Sequence, residues 1–203
     1  MLDAFLARTA IVDWDHPLVL QRARELSRGR AGPVAVARAC FDWVRSEILH
    51  TSDHRLEPVT CAASEVLAQG TGFCYAKSHL LAALLRANGI GCGFAYQRLN
   101  DGDGTPFCLH GLNWVSLPQH GWFRADARGD RADLPRAAFE PPRERLVFKA
   151  ERAGERDFPE ILVEPHPVVV QALTRHRTRA ELLRHLPDIA ELGVAGALIA
   201  PSA

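Results

Sequence analysis

The stretch 70–90, GTGFCYAKSHLLAALLRANGI, places a cysteine between a glycine turn and a strongly apolar segment. Its leucines recur at three- and four-residue spacing, which predicts a helix with one face on a core. Asn88 and Gly89 follow the last leucine as a helix C-terminal signal. Cys74 therefore lies in the first turn, where unpaired backbone N–H groups and the helix dipole favour an anion.

A thiolate is such an anion, so the position of Cys74 allows a chemical role. An ordinary thiol has a pKa of about 8.5, and a helix N-terminus with a histidine partner lowers it to roughly 3.5 to 7.5. Gly70 and Gly72 allow the chain to approach closely at this turn. The turn alone is equally compatible with a small residue packed between a helix and a sheet. A reactive Cys74 needs a base nearby.

The sequence on either side predicts an α+β fold. Helical spacing and capping signals predict three helices before the quoted stretch and two near the C-terminus, whereas alternating patterns downstream of Gly89 predict an antiparallel sheet of three strands. The predicted helices are 17–29, 33–48, 61–68, 166–176 and one opened by a capping box at Thr178 and Glu181; the strands are GCGFAYQRL, FCLHGLNWVSL and GWFRADAR.

Composition excludes several classes of protein. The chain has 203 residues, is 47% hydrophobic, and balances 24 basic against 24 acidic residues. We therefore expect an ordinary globular protein with no nucleic-acid partner and no attraction to anionic membranes. The N-terminus lacks the pattern of a signal peptide or a membrane span, which predicts a cytoplasmic protein.

The five cysteines are scattered singly, without a C-x-x-C pair. An odd number of isolated cysteines argues against a disulfide framework and against a zinc site. We predict that Cys40, Cys61, Cys92 and Cys108 are small buried hydrophobic residues.

The strands supply a candidate base for Cys74. If residues 118–120 form a three-residue hairpin loop, Leu117 pairs with Gly121, and His110 lies diagonal to Asp126 on the same face of the sheet. Asp126 can then orient one imidazole nitrogen while the other faces a thiol. A two- or four-residue loop would break this register, and each residue also has a purely structural interpretation.

His79 is closer to Cys74 in sequence than His110 is. At five residues' separation on a helix it points in a different direction, so we interpret it as a structural or surface residue.

The run from Thr60 to Asp126 resembles the transglutaminase-like superfamily. It contains ASEVLxxGxGxC from Ala63, a leucine-rich helix ending ALLRANGIG, a strand, a histidine with Trp114 shortly after it, and GWxxxD from Gly121. His110 follows Cys74 by 36 residues, and Asp126 follows His110 by 16, which fits the family pattern.

Two positions depart from that pattern. The family often has an aromatic residue two positions after the histidine and a proline after the aspartate, where this chain has Leu112 and Ala127. These differences leave the three chemical residues in place and bear on substrate contacts.

The resemblance implies a papain-like core in which the central helix carries the nucleophile and packs on an antiparallel sheet. It implies Cys74 as nucleophile, His110 as general base and acid, and Asp126 as the residue that orients the imidazole. For the oxyanion we expect the backbone N–H of Cys74 and, as a second donor, the side chain of Gln69. Trp114 is a further candidate for substrate binding.

We accordingly predict one domain over residues 1–203, with a core at about 33–130 and a C-terminal helical extension at about 160–203. No cofactor or metal is expected. Some transglutaminases bind calcium, but Asp101 and Asp103 are too few to form a calcium site alone.

The expected activity is acyl transfer through a thioester on a peptide, protein or small amide. We favour hydrolysis, as a peptidase or amidase, over protein-glutamine cross-linking, because the compact chain shows no appended modules for two protein substrates. Arylamine N-acetyltransferases use a similar triad but usually have an Arg-Gly-Gly-x-Cys turn, and Gly70-Thr-Gly-Phe-Cys74 lacks the arginine. A non-catalytic binding module is the remaining alternative.

Overall fold

The structure of the protein is a computed structural model that describes residues 2–100, 102, 105–193 and 197–199. Asp101 and Asp103 lie outside the described residues. A 3-10 helix at Leu2–Leu6 opens the chain. The α-helices of the described part are α1 (Pro17–Ser27), α2 (Gly32–Glu47), α3 (Ala63–Gln69), α4 (Cys74–Ala87), α5 (Pro167–Arg175) and α6 (Arg179–Leu183).

Within the described residues the strands form four small sheets. The largest is antiparallel, with the order β5-β4-β3-β8, and the remaining pairs are parallel β1-β2 and antiparallel β6-β7 and β9-β10. The strands are β1 (Leu49–His50), β2 (Thr71–Gly72), β3 (Cys92–Leu99), β4 (Cys108–Leu117), β5 (Gly121–Ala125), β6 (Ala138–Glu140), β7 (Arg143–Arg145), β8 (Arg156–Asp157), β9 (Glu160–Ile161) and β10 (Leu198–Ile199). The predicted α+β class with an antiparallel sheet is confirmed.

Helix α4 is the centre of the fold. Every residue from Cys74 to Arg86 is buried, because the helix contacts α1, α2 and α3 as well as strands β3 and β4. A helix that is apolar around most of its circumference is stable only when it is covered on all sides. Cys74 is its first residue, as the sequence predicts.

The hairpin between β4 and β5 has the predicted three-residue loop. Leu117 pairs with Gly121 and Asn113 with Ala125, so the same register brings Asp126, directly after β5, beside the start of β4. The prediction of this register is confirmed.

The N-terminal turn of α4 lies unusually close to strand β4 at Gly111. A Cβ atom at this position would lie 2.9 Å from Tyr75 Cδ1 and 3.2 Å from Tyr75 Cα, so a larger residue does not fit. The Tyr75 hydroxyl also donates a hydrogen bond to the Leu109 carbonyl. These contacts hold the first turn of the helix against the strand that carries His110.

On its other side, α4 begins from the short β1-β2 ladder. Gly70 ends α3 in the left-handed conformation, with φ of 65°, which allows the chain to turn directly into β2. In this parallel ladder His50 pairs with Gly72, two residues before Cys74. A histidine far from Cys74 in sequence is thereby brought next to the start of α4.

The C-terminal helices form close to the predicted positions. The capping box of α6 is present, because Thr178 Oγ1 accepts from the Glu181 backbone N–H at 3.2 Å and the Glu181 carboxylate accepts from the Thr178 N–H at 3.3 Å. In the described part of the chain, no helix has the length and apolar character needed to cross a membrane.

We predict that Gly111→Ala lowers the free energy of unfolding by about 1–3 kcal/mol, the usual cost of overpacking a core. The added methyl group must displace Tyr75, and the displacement should also slow the reaction of Cys74 with iodoacetamide. Denaturant unfolding monitored by circular dichroism measures the first effect.

Gly91→Ala is the matched control, because a Cβ atom there would meet its nearest neighbour, Ser116 Cβ, at an ordinary 3.4 Å. If the two variants are equally stable, the close contact at Gly111 does not constrain the fold as described.

Candidate active site

The structure brings Cys74, His110 and Asp126 together. His110 Nε2 lies 2.8 Å from Asp126 Oδ2, in the geometry of a hydrogen bond. The three side chains come from the start of α4, the start of β4 and the residue after β5. Cys74 and His110 line one cleft of about 460 Å³, and Asp126 is buried.

Backbone groups as well as His110 hold the Asp126 carboxylate. Oδ1 accepts from the Arg128 N–H and Oδ2 from the Val147 N–H, both at 3.2 Å. Burial raises the pKa of Asp126, but the charge and hydrogen bond of His110 and these two N–H groups hold it below its usual value. These contacts therefore hold the Asp126 carboxylate in place and favour its charged form.

Cys74 and His110 have opposite and coupled pKa shifts. Burial raises the pKa of Cys74, but the charges and hydrogen bonds of His110 and His50 outweigh it and bring the value to about 6. Burial lowers the pKa of His110, but Asp126 and the Cys74 thiolate raise it to about 10. Between these values the favoured state is a thiolate beside an imidazolium.

The other buried cysteines have raised pKa values. Burial raises the pKa of Cys40, Cys61 and Cys92 to about 12 in each case. They are the small hydrophobic residues that the sequence predicts. Cys108 differs from that prediction, because it is half-buried and lines the cleft at the start of β4.

A second histidine and carboxylate lie beside Cys74, and the sequence analysis missed both. His50 is only 7% exposed, and its Nδ1 lies 3.4 Å from Asp53 Oδ1. The Arg128 guanidinium donates two hydrogen bonds to Asp53, from Nη1 to Oδ2 at 2.6 Å and from Nη2 to Oδ1 at 2.9 Å. The His–Asp spacing of three residues in the loop after α2 is the signal that could have indicated this pair.

Arg128 therefore joins the two carboxylates of the site. Its backbone N–H binds Asp126 and its side chain binds Asp53. Burial raises the pKa of Asp53, but the nearby His50 and the hydrogen-bonded Arg128 guanidinium outweigh it and hold the pKa well below its usual range.

Lys77, one turn after Cys74, ties the end of α2 to α4. Its fully buried ammonium donates to the carbonyls of Ile48 and, at 3.4 Å, Arg45. Burial and repulsion from Arg128 lower its pKa to about 7.

The cleft has an apolar part and a charged rim. Phe148 covers the His110 ring edge-to-face, with the ring centroids 4.9 Å apart. Leu183 and Leu186 of the C-terminal segment form part of the cleft wall. Apolar residues of the wall include Leu99, Leu134, Leu183 and Leu186, and charged residues of the rim include Lys149, Glu151 and Arg152.

The structure does not bring Gln69 or Trp114 to the cleft. Gln69 is exposed at the end of α3, because the left-handed turn at Gly70 directs the following chain away from it. Trp114 packs in a second apolar cluster with Phe5 and Ile161. Both predictions of a role at the cleft are therefore corrected.

His79 is a structural residue inside the protein. It is fully buried, Nδ1 lies 2.8 Å from the Cys61 carbonyl, and burial lowers its pKa to about 4. Among the described residues, no group of three or more His, Cys, Asp or Glu side chains is arranged to hold a metal ion.

Comparison with protein families gives a match to the model described as the transglutaminase-like superfamily over residues 20–127, slightly more than half of the chain. The match includes Cys74, His110 and Asp126. No curated protein matches the chain significantly.

Solved structures also match this chain. One, titled a "Putative Cysteine Protease" from Cytophaga hutchinsonii, is 18% identical with a TM-score of 0.51, and the alignment covers 63% of this chain and 42% of that one. Another, titled a "Putative Protease" from Parabacteroides distasonis, is 12% identical with a TM-score of 0.40 and coverage of 57% and 25%. This chain thus spans less than half the length of either neighbour.

We predict that iodoacetamide alkylates Cys74 with a pH midpoint near 6, because the thiolate is present above that pH. Cys40, Cys61 and Cys92 should stay unlabelled without denaturant. In His110→Ala the main stabilising cation is lost while burial remains, so the midpoint should rise. Peptide mass spectrometry after timed alkylation from pH 4 to 10 measures both. Superimposable profiles for the two proteins would refute the coupling.

We also predict that Arg128→Met lowers the free energy of unfolding by about 3–5 kcal/mol, since it leaves the Asp53 carboxylate buried without its cation. Arg136→Met is the control: that residue is 69% exposed and pairs with Asp130 at 3.0 Å, so its loss should cost less than about 1 kcal/mol. Equal effects in denaturant unfolding would contradict a structural role for the Arg128–Asp53 pair.

Proposed function

Because the chain belongs to the transglutaminase-like superfamily, we propose that it is a cysteine enzyme that cleaves amide or peptide bonds through a thioester on Cys74. In this proposal His110 is the general acid and base, and Asp126 orients and charges His110. Water is the final acceptor, which makes the enzyme a hydrolase.

The observation that carries the proposal is the position of Cys74 at the start of α4, in one cleft with His110 and its hydrogen-bonded partner Asp126. Near neutral pH it supports a nucleophilic thiolate together with an imidazolium that holds the proton needed by a leaving group. A cysteine that serves only in packing has no need of this arrangement, and the three other fully buried cysteines lack it.

In the first half-reaction, the Cys74 sulfur attacks the substrate carbonyl carbon, and the C–S bond forms as the carbonyl electrons move to oxygen. Collapse of this adduct breaks the C–N bond, and the imidazolium of His110 gives its proton to the departing amine. A thioester and a neutral imidazole remain. His110 then takes a proton from water, whose oxygen attacks the thioester and releases a carboxylic acid and the thiolate.

The cleft fits a single acyl group with an adjacent chain. Its volume of about 460 Å³ lies within the range of sites that bind small molecules or a few side chains. Cys74 is 9% exposed, so its sulfur meets substrate only through this cleft. This supports amide cleavage within one substrate over the joining of two folded proteins. Transfer to an amine, including arylamine N-acetyltransferase-like chemistry, remains an outcome for the experiment to decide.

The test is intact-mass analysis after incubation with p-nitrophenyl esters and a library of short peptide amides. We expect an acyl adduct on Cys74 that decays in water, and no adduct in Cys74→Ala. Cys108→Ala is the matched control, because it removes the other thiol that lines the cleft while the nucleophile remains.

If Cys74 forms no adduct under any condition, a binding module replaces the enzyme in this account. An adduct that is stable in water and is discharged only by added amines would instead identify a transferase.

A further inference from the structure

The proposed reaction needs a second hydrogen-bond donor for the oxyanion. Cys74 is the first residue of α4, so the helix does not use its backbone N–H, which supplies one donor. The side chain expected as the second, Gln69, is exposed at the end of α3. The described part of the cleft offers a different side chain next to the nucleophile, the imidazole of His50.

His50 is held rigidly at this place. The backbone on both sides of it is bound into the β1-β2 ladder, where the Leu49 N–H donates to the Gly70 carbonyl at 2.9 Å and the Thr51 N–H to the Gly72 carbonyl at 3.1 Å. Phe73 packs against the ring edge-to-face, with centroids 5.8 Å apart. A donor fixed before reaction costs no reorganisation when the charge develops.

The two histidines differ in how their carboxylates hold them. His110 Nε2 is 2.8 Å from Asp126, a short charge-assisted distance. His50 Nδ1 is 3.4 Å from Asp53, beyond the usual 2.7–3.2 Å or so of an N–H···O bond, and is a buried nitrogen that no short hydrogen bond satisfies within the described residues.

Asp53 is also the weaker of the two supports electrostatically. Both of its oxygens accept from the Arg128 guanidinium, which neutralises the carboxylate. It therefore lies beside His50 without a short hydrogen bond to the ring. His110 is the proton-transfer residue, and His50 is left with the role of a fixed donor.

We propose that His50 donates an N–H to the substrate carbonyl oxygen as its negative charge develops, and forms the oxyanion hole with the backbone N–H of Cys74. This inference rests on the proposed function. His50 and Cys74 line the same cleft, and His50 pairs with Gly72, two residues before Cys74. The carbonyl oxygen of an adduct is separated from the Cys74 sulfur by a single carbon atom.

His50 keeps its proton throughout this sequence. When the C–S bond forms, the negative charge moves from sulfur to the carbonyl oxygen, and the His50 N–H donates to that oxygen. When the C–N bond breaks, the oxyanion returns to a carbonyl, and the proton on the leaving amine comes from His110. The interaction is strongest in the transition state, which is what lowers the barrier.

The test compares two reactions of Cys74 in the same variants. Iodoacetamide alkylation needs the thiolate but forms no oxyanion, whereas single-turnover acylation by p-nitrophenyl acetate needs both. In His50→Ala and in the ring-filling His50→Phe, we expect the ratio of acylation rate to alkylation rate to fall about 100 to 1,000-fold, the usual effect of losing one oxyanion donor. His50→Gln, which restores an N–H donor, should recover part of the ratio.

His54→Ala is the control, because His54 is an exposed histidine of the same loop. Circular dichroism shows which variants fold, and either His50→Ala or His50→Phe suffices for the comparison. A ratio of acylation rate to alkylation rate that stays at the wild-type value would overturn the inference. If both rates fall equally, His50 only adjusts the thiolate. If wild-type Cys74 is alkylated at low pH but never acylated, the proposed function fails first and the inference with it.

Discussion

The contact between the first turn of α4 and strand β4 at Gly111 determines the rest of the site. Tyr75 lies directly against this glycine, and its hydroxyl is bound to the Leu109 carbonyl of the same strand. His110 stands between these two positions, so the contact sets the separation of the nucleophile from its base. The chain also enters the helix closely, because a Cβ at Gly72 would lie 3.0 Å from Ala76 Cβ and 3.2 Å from Thr60 Oγ1.

Around this contact the charges form a connected arrangement. Asp126 supports His110, Asp53 lies beside His50, and Arg128 binds one carboxylate with its backbone and the other with its side chain. Burial by itself opposes every charge in this group. The ions are stable there because each has a partner at short distance, which also means that changing one alters the pKa of its neighbours.

Local patterns predicted the elements that carry Cys74, His110 and Asp126, and long-range contacts determined the rest of the site. The leucine spacing determines α4, and a three-residue loop determines which residue of β5 meets β4, so Cys74 and His110 could be placed from sequence. Trp114 is four residues after His110 on β4, so the alternation of the strand places both side chains on the same face of the sheet. It nevertheless lies further along β4, where Phe5 and Ile161 cover that face, and neither residue is near it in sequence.

His50, Asp53 and Arg128 could not be predicted together for the same reason. His50 ends β1, Asp53 lies in the turn after it and Arg128 follows β5, so only the folded chain brings the three together. The segment 130–160, whose prolines and charges gave no periodic pattern, supplies Val147 and Phe148 to the support of Asp126 and His110.

We propose that Cys74 and His110 form a thiolate–imidazolium pair stabilised by Asp126. A pH titration of the His110 ring nitrogens by ¹⁵N NMR in the wild-type protein and in Cys74→Ala tests this pair. We expect His110 to stay protonated in the wild type until the pH approaches about 10. Without the thiolate it should lose its proton at lower pH. A wild-type His110 that titrates near the ordinary value of about 6.5, unchanged by Cys74→Ala, would show that the pair does not form.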